Sequence, residues 1–441
     1  MTKHVAIVGG GFSGTMLAVQ LLRQGDSRVT LIERSGTPGR GLAYGAAHPT
    51  HLLNVRAGSM SAYPDDAGHF ARWLEARGVA DAATSFAPRV VFAEYVQEQL
   101  SEAAAGGRLE TIRADVADLE VTTTGFSVAL DDGRRIEADS AALAIGNSPP
   151  KPPRMLADAA LPADRFFADP WAEGVADGLG PDDNVLVIGT GLTMVDIVLL
   201  LERKGVTGPI LAMSRRGLIP RAHASGPPPE PRADVPTTVA SKLLREVRSQ
   251  GEAGNWRQAI DSLRPVTQGL WQAATPNVRG RFLRHLRPWW DVHRHRIAPE
   301  IHARIQAMID SGQLTVAAGK VASVENRPDG VAVTWRPRGA DRSEQFTVAR
   351  IINCTGPEAD LRGSADPLLR TLAERGLIRP DPNGIGVDVD RDSRVIVDDG
   401  QPVEGLYAVG PITRGAFWEI VAVPDIRGQV SDVAKRVSAR G

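Results

Sequence analysis

A glycine-rich segment near the start of the chain has the spacing of a nucleotide-binding turn. Gly9, Gly11 and Gly14 form a G-x-G-x-x-G pattern that follows an apolar run and precedes a helical one. Such glycines permit a tight turn, close approach of the backbone to a pyrophosphate, and close packing of helix on strand. Glu33 ends the next apolar run, where a carboxylate can accept hydrogen bonds from ribose hydroxyls. The pattern predicts a dinucleotide site, without separating FAD from NAD.

A second glycine-rich segment, further along the chain, matches the pattern less well. Gly189 and Gly191 supply the first two glycines, but Met194 occupies the third position. Met194 must therefore either hold the helix further from the strand or pack toward the ligand. Ser214, Arg215 and Arg216 stand at the end of the next strand, where an NAD site has an acid. Hydroxyl and guanidinium groups there suit the 2′-phosphate of NADPH, although two arginines at a strand end can also be simply solvated.

Each glycine segment lies inside a pattern of strand, helix and strand. The first unit is predicted at His4–Val8, Thr15–Gln24 and Arg28–Arg34. The second is predicted at Asn184–Ile188, a helix ending near Lys204, and Pro209–Ser214. Two such units, 180 residues apart, predict an α/β fold with two Rossmann-like dinucleotide-binding domains.

The remaining segments complete these two domains. The predicted elements are meander strands at Arg108–Val121 and Phe126–Leu130 with a turn at Asp131–Arg134, strands at Ala141–Ile145 and Arg350–Cys354, alternating segments over Val316–Val348, a loop or flap at Pro227–Pro236, and helices over about 237–310. We expect residues 1–150 and 350–441 to form the first domain. Residues 151–349 would form the second, with the helical insert about 237–310 shaping a pocket.

Composition restricts the classes of protein. The chain of 441 residues is 42% hydrophobic and 23% charged, with a net charge of −1, so its composition gives no general attraction to nucleic acid or to anionic membranes. Cys354 is the single cysteine, which excludes an intrachain disulfide, a cysteine zinc site and a redox-active CxxC pair. No leader and no apolar run of about 18 residues are visible, so the expectation is a cytoplasmic protein.

The sequence resembles, nearly end to end, the two-dinucleotide flavoproteins of the FAD/NAD(P)-binding group that includes FAD-dependent urate hydroxylase and aspartate N-monooxygenase. The segments that carry the resemblance are Gly39–Tyr44, His51–Val55, Met60–Ser61, Gly189–Asp196, Ser214–Pro220, Phe282–His285, His293–Arg296, Asn353–Pro357, Leu406–Pro411 and Phe417–Glu419. The resemblance implies that the first glycine segment binds FAD and the second binds NADPH. It also implies that methionine is usual at the Met194 position.

The resemblance suggests further contacts with FAD. Gly356 would let the chain pass close to FAD. Gly410 stands where many flavoproteins have Gly-Asp, with the aspartate bonded to the ribityl chain, but here Pro411 replaces that aspartate. A helix beginning near Ala416 would point its N-terminus at the flavin N1–C2 edge, where negative charge gathers on reduction. The Val116 backbone would meet the adenine.

Three further groups of residues have two interpretations each. Tyr44 and Asn54 would approach the isoalloxazine ring, or else make local hydrogen bonds. The basic stretch His293–Arg296, with His285 and Arg287 nearby, is either a solvated helix end or a clamp for NADPH phosphates or an acidic substrate, and it lacks the acids or cysteines of a metal site. Four tryptophans fill either a core or an aromatic pocket, namely Trp271, Trp289, Trp290 and Trp418.

The activity that the resemblance implies is hydroxylation. NADPH would reduce FAD, and a flavin C4a-hydroperoxide would hydroxylate a small substrate at a nitrogen or carbon nucleophile, with molecular oxygen as co-substrate. We name no catalytic residue, because the cofactor performs that chemistry. Two alternatives stay open: an NADPH-dependent reductase that passes electrons to a quinone or protein, and an FAD-based redox sensor without turnover.

Overall fold

The computed structural model describes residues 2–45, 48, 50–224 and 237–439. The loop predicted at Pro227–Pro236 lies outside these residues. Their strands are β1 (His4–Val8), β2 (Arg28–Ile32), β3 (Leu109–Ile112), β4 (Val116–Val121), β5 (Phe126–Leu130), β6 (Arg135–Ala138), β7 (Ser140–Leu143), β8 (Phe166–Phe167), β9 (Val185–Ile188), β10 (Ile210–Ser214), β11 (Leu314–Arg327), β12 (Gly330–Pro337), β13 (Glu344–Val348), β14 (Arg350–Asn353), β15 (Arg394–Ile396) and β16 (Pro402–Ala408).

The helices fall into two groups, one around the first sheet and one before β11. In chain order they are α1 (Phe12–Gln24), α2 (Gly41–Gly45), α3 (His69–Glu75), α4 (Arg89–Ala104), α5 (Arg154–Ala157), α6 (Leu192–Arg203), α7 (Ala240–Gln250), α8 (Trp256–Asp261), α9 (Thr267–Ala273), α10 (Pro276–His285), α11 (Arg287–Arg294), α12 (Pro299–Asp310), α13 (Pro367–Glu374) and α14 (Val423–Ala439). None of these described helices combines the length and apolar character needed to cross a membrane.

A six-stranded sheet forms the first unit, in the order β15-β16-β7-β1-β2-β3. Its strands are parallel except for the antiparallel β15–β16 pair. All five residues of β1 are buried, as expected for a parallel strand covered on both faces. Val5 and Ile7 pack into a core with α1, α4 and α14, whereas Ala6 and Val8 face a core shared with α13 and the antiparallel sheet β4-β5-β6.

A seven-stranded sheet forms the second unit, in the order β13-β12-β11-β10-β9-β14-β8. The five strands from β11 to β8 are parallel, and β12 and β13 add an antiparallel extension. Helices α6 and α12 cover one face, where Val198 and Ile305 are buried with Val187 of β9. The α/β class with two Rossmann-like units and a helical insert is therefore confirmed, and α7 to α12 fill the predicted insert.

One prediction about the strands is corrected. The predicted segment Arg108–Val121 is two strands: β3 pairs in parallel with β2 in the first sheet, and β4 alone belongs to the meander. The parallel register pairs Ile112 with Ile32 and buries both side chains. The predicted domain boundary at residue 350 falls inside the second sheet, because Arg350–Asn353 pairs with β9.

Candidate functional site

The first glycine segment forms the turn between β1 and α1. Gly9 has φ +101°, and a Cβ atom on it would lie 2.5 Å from the Ala144 carbonyl oxygen. A Cβ atom on Gly14 would overlap the carbonyl oxygen of Gly9, so only glycine lets α1 pack this closely. Gly11 caps the N-terminus of α1, and a Cβ atom there would be 3.7 Å from Gly41. These positions have the cradle geometry that a dinucleotide pyrophosphate requires.

Glu33 lies at the end of β2, as predicted, and its side chain is already hydrogen-bonded. Gly10 N–H donates to Oε2 at 2.6 Å, and Ser35 N–H donates to Oε1 at 2.9 Å. A Cβ atom on Gly10 would lie 2.7 Å from the Glu33 Cβ atom. Gly10 is thus a required glycine that the G-x-G-x-x-G pattern does not mark. The carboxylate is fixed beside the glycine turn with acceptor capacity left for a ribose.

The second glycine segment repeats this arrangement between β9 and α6. Gly189 has φ +112°, and a Cβ atom on it would overlap the carbonyl oxygen of Cys354 at the end of β14. Gly191 caps α6 and has no neighbour within 4 Å of its Cβ position. Met194 is fully buried among the apolar residues of the second unit. Of the two expectations for Met194, packing toward the ligand is therefore wrong.

Ser214, Arg215 and Arg216 form the turn that follows β10. The Ser214 hydroxyl lies 2.8 Å from the Thr190 hydroxyl and accepts the Gly217 N–H at 3.0 Å, so it holds the turn in place. The guanidinium of Arg215 is exposed and makes neither an ion pair nor a hydrogen bond with the described residues, and that of Arg216 lies 5.9 Å from the Trp289 ring.

Two further cations join this turn, and sequence reasoning missed them. Ser214 pairs with Ala318 in the parallel register of β10 and β11, which brings Lys320 of β11 to the same region. Arg338 N–H donates to the Ala318 carbonyl at 2.8 Å. Lys320, Arg338, Arg215 and Arg216 all line one cavity. The strand alternation over Val316–Val348 predicted the strands, but their register against β10 is a tertiary contact with no local signal.

That cavity, of about 1840 Å³, lies between the two units and the helical insert. Eight of the predicted site residues line it: Tyr44, Asn54, Gly189, Gly191, Ser214, Arg215, Arg216 and Gly356. The residues of the first glycine turn, Glu33, Val116 and Gly410 are not among its lining residues. The cavity therefore joins the second glycine segment to the residues expected near the isoalloxazine ring.

The cavity wall is strongly cationic. Among the described residues, twelve arginines and one lysine line it, whereas two carboxylates, Asp261 and Asp291, do so. The whole chain, by contrast, has a net charge of −1. A concave surface with such an excess of one sign concentrates ligands of the opposite sign. The wall is thus suited to ligands that carry several phosphates or carboxylates.

Tyr44 and Asn54 line the cavity on the side of the first unit. Tyr44 packs its ring against Phe12 and Phe92, with ring centroids 6.5 Å and 5.0 Å away. His223 Nε2 donates to the Asn54 carbonyl oxygen at 2.9 Å. Burial lowers the pKa of His223 to about 4, so this ring is neutral at pH 7. Tyr44 and Asn54 thus make local contacts and also line the cavity, so both interpretations stay open.

The other predicted contacts to FAD divide between the two units. Gly356 follows β14 beside the second glycine segment, and its φ is +89°. Gly410, with φ +77°, lies against the first turn, because a Cβ atom on it would be 2.9 Å from the Ser13 Cβ atom. Val116 begins β4. The helix expected near Ala416 begins instead at Val423, which lines the cavity.

In the basic stretch His293–Arg296, the side chains of Arg294, His295 and Arg296 line the cavity, and each lies beside a carboxylate. Arg294 Nε lies 3.1 Å from Glu419 Oε2, and His295 Nε2 lies 3.6 Å from Glu419 Oε1. Trp290 Nε1 donates to the same Oε1 at 2.7 Å, and Arg296 pairs with Asp261. Glu419 is buried, which by itself would raise its pKa, but His295, Arg294 and Trp290 hold that pKa at about 2.

The four tryptophans are core or surface residues, not pocket walls. Trp271 and Trp418 stack at 4.7 Å between ring centroids and are both buried. Trp290 packs beside them, and Trp289 is 44% exposed. None of the four is among the lining residues of the cavity. Within the described part of the chain, no group of three or more His, Cys, Asp or Glu side chains could hold a metal ion.

A known protein family resembles part of this chain in sequence, and several solved structures resemble it in fold. Residues 6–148, about a third of the chain, match the model of a family described as FAD-NAD(P)-binding. No curated protein matches the sequence significantly. Among solved structures, an ornithine N-hydroxylase from Kutzneria sp. 744 with reduced FAD, NADP⁺ and L-ornithine has a TM-score of 0.70 at 17% identity, covering 100% of each chain.

Two more solved structures are similar over the full length. The ornithine hydroxylase of Pseudomonas aeruginosa, in its reduced form, has a TM-score of 0.68 at 15% identity and covers 100% of this chain and 99% of its own. The L-lysine 6-monooxygenase of Pseudomonas syringae has a TM-score of 0.66 at 17% identity and covers 99% of each chain. At these identities the likeness is one of fold. Residues 6–148 therefore match an FAD-NAD(P)-binding family model, and the chain as a whole has the fold of these three enzymes.

Proposed function

We propose that the protein is an FAD-dependent oxidoreductase that takes electrons from NADPH and hydroxylates a small molecule with molecular oxygen. The observation that carries the proposal is the single cationic cavity that joins the second glycine segment to Tyr44 and Asn54. The enzymes with the most similar folds reported above are named as hydroxylases or a monooxygenase, and one of them was solved with FAD, NADP⁺ and its substrate.

The residues present fit both cofactors. Gly9 permits the tight turn where any side chain would collide with Ala144, and Gly11 caps α1, whose N-terminal N–H groups would bind a pyrophosphate. Glu33 stands beside it to accept ribose hydroxyls. At the second turn, Gly191 is open to the cavity, and Arg215, Arg216, Lys320 and Arg338 offer a cationic cluster for the 2′-phosphate of NADPH. Bound FAD supplies the chemistry of hydride acceptance and oxygen activation.

The chain's own contribution is to bind, to orient and to exclude water. The insert helices α10 and α11 supply Arg284, Arg287 and Arg294 to the cavity wall, so they cover the space between the two units. The loop after β14 brings Gly356 to the same space. Such a cover would limit the access of water to the reacting centre of bound FAD. We assign no acid–base residue.

A disulfide reductase is disfavoured by the chemistry of the chain. Cys354 is the single cysteine, and it is 4% exposed. Burial raises the pKa of its thiol, and thiolate is the species that attacks disulfides. The alternatives that stay open are electron transfer to a quinone or a protein acceptor, and an FAD sensor without turnover.

The activity is tested with purified holoprotein. We expect NADPH to reduce bound FAD without oxygen, and oxygen uptake in air to be stimulated by the true substrate without matching peroxide release. The substrate panel consists of amino acids, amines and purines. Rapid reduction of a quinone under nitrogen, with no stimulated oxygen uptake, would instead establish a reductase. Absence of NADPH oxidation would leave the sensor.

The NADPH site is tested with the double variant Arg215→Ala, Arg216→Ala. Loss of two charge-assisted contacts should raise KM for NADPH about tenfold or more and leave KM for NADH nearly unchanged. Arg336→Ala is the matched control, because Arg336 is exposed on β12 and does not line the cavity. Equal effects on NADPH and NADH would show that these arginines do not read the 2′-phosphate.

A further inference from the structure

The cavity contains a second cationic feature, remote in sequence from the Arg215–Arg216 turn. Arg414 lines the cavity, and its guanidinium lies 4.7 Å from the centroid of the Trp418 ring. Its Nε is buried without a hydrogen-bond partner. No described residue makes an ion pair or a side-chain hydrogen bond with it. Arg414 as a whole is half-buried, but burial of its Nε without a partner carries a desolvation cost, so this arrangement favours an anion as its missing partner.

The two carboxylates that act electrostatically on Arg414 are Asp291 and Glu419, and neither makes an ion pair with it, although Asp291 Oδ1 is buried without a hydrogen-bond partner. Asp291 Oδ2 lies 3.4 Å from Arg287 Nε. Glu419 is held by Arg294 and His295. Burial and the neighbouring Arg287 lower the pKa of Arg414 to about 10, so it keeps its charge at neutral pH. The protein therefore leaves one positive charge at this end of the cavity without a counter-ion of its own.

The walls next to Arg414 are apolar on one side and cationic on the other. Leu283 and Ile385 line the cavity and pack onto the aromatic cluster of Trp271, Phe282 and Trp418. Arg284, next in the chain to Leu283, is exposed, has no partner among the described residues and lines the same cavity. A ligand seated here meets a planar cation at one end and apolar side chains along its body.

From this geometry we propose that Arg414 is the head of a carboxylate subsite, and that the substrate is a small organic acid with an apolar or aromatic body. The proposal deepens the proposed function, because it names the substrate class for the same cavity. Guanidinium is the side chain best matched to a carboxylate, since it can donate two parallel hydrogen bonds. An anionic reduced flavin could also pair with the Arg414 guanidinium, so the test must distinguish a substrate carboxylate from the flavin.

The test measures equilibrium binding to the purified protein, without NADPH. Calorimetric titrations compare benzoate with benzamide, and succinate with succinamide. We expect each acid to bind at least about tenfold more tightly than its amide. Arg414→Gln should weaken acid binding about tenfold or more, and Arg414→Lys should recover part of it. Arg281→Gln is the control on α10, because Arg281 is exposed and does not line the cavity.

Because Arg414→Gln could itself impair folding, a second variant provides an independent test of the subsite. Arg284→Gln, at the exposed edge of the subsite, should weaken acid binding by a few-fold while leaving circular dichroism and the unfolding midpoint unchanged. The two-electron midpoint potential of the holoprotein tests whether the anion that pairs with Arg414 is the bound flavin. We expect Arg414→Gln to leave that potential unchanged. A lowered potential with unaltered acid binding would assign Arg414 to the flavin and overturn the proposal.

The remaining outcomes separate the subsite from the activity. Equal binding of acids and amides, or binding of neither, would refute the subsite even if NADPH were oxidised. Acid binding that depends on Arg414 would uphold it even if no oxygen were consumed, and only the proposed function would then fail.

Discussion

At the scale of single residues, the sequence predicts those site residues that belong to a short local motif. Gly9, Gly11 and Gly14 could be predicted because they belong to one short pattern, although the Ala144 contact that requires glycine at Gly9 is remote in sequence. Glu419 had no such signal. Its partners Arg294, His295 and Trp290 lie more than a hundred positions earlier, so only the folded chain reveals that the basic stretch is a set of buried ion pairs.

Gly9→Ala should abolish tight FAD binding. The added methyl group would meet the Ala144 carbonyl at 2.5 Å, at a φ that alanine rarely adopts. We expect the purified variant to contain less than about a tenth of the flavin of the wild type, measured by absorbance after release. Gly428→Ala is the control, because nothing lies within 4 Å of its Cβ position on α14. Full flavin occupancy in Gly9→Ala would contradict this account of the turn.

Glu419→Gln should destabilise the protein at pH 7 by about 3–5 kcal/mol, because it leaves Arg294 without its buried counter-charge. The pKa of Glu419 is lowered from 4.5 to about 2 in the folded state. Its contribution is therefore complete above about pH 4.5 and is lost as the pH falls toward 2. The difference in unfolding free energy between wild type and variant should shrink over that window.

Denaturant titrations at pH 7, 4 and 3 measure this difference. Glu344→Gln is the control, since Glu344 is exposed and should change stability by less than about 0.5 kcal/mol. A difference that does not depend on pH would show that Glu419 acts through packing and not through its charge.

At the scale of elements, the two strand–helix–strand units could be predicted. In each unit, the spacing of the apolar residues and the position of the glycines indicate the same elements. The register between β3 and β2, and the place of β14 beside β9, could not be predicted. Both are pairings between segments far apart in sequence, and a short apolar run fits any sheet with a free edge. The same limit hid Lys320 and Arg338, whose positions depend on the pairing of β10 with β11.

One ion pair between helices of the two units carries a further prediction. Arg89 of α4 lies 2.9 Å from Asp196 of α6, and their side chains are 15% and 8% exposed. A double-mutant cycle with Arg89→Gln and Asp196→Asn should give a coupling free energy of about 1–3 kcal/mol, measured by denaturation. The exposed pair Arg327–Glu325 should give about 0–1 kcal/mol in the same cycle. Equal couplings would mean that the inter-unit pair is no better shielded than a surface pair.

At the scale of the whole molecule, net charge conceals the property that matters. The net charge of −1 over 441 residues gave no indication of the cationic cavity. Its described lining residues include thirteen cations and two carboxylates. The fold class could be predicted, since two dinucleotide units define it. The shape of the cavity could not, because it arises where α10, α11 and the loop after β14 meet.

Capture of NADPH should therefore depend on ionic strength. Raising KCl from about 20 to about 200 mM should lower kcat/KM for NADPH several-fold and change kcat little, because salt screens the attraction between the cavity and the phosphates. Steady-state rates over a salt series measure this. The Arg215→Ala, Arg216→Ala variant should show a shallower dependence. A wild-type rate insensitive to salt would show that the cationic wall does not steer the coenzyme.

The strand order of the first sheet also governs how the protein can be synthesised. β7 pairs on one side with β1 and on the other with β16, and Leu143 and Leu406 are 263 positions apart. At ribosomal speeds of ~5–20 residues per second, the open edge of β7 must wait on the order of tens of seconds for its neighbour. An unpaired strand is a template for pairing with another chain. The nascent N-terminal half is therefore the stage at which this protein most needs a chaperone.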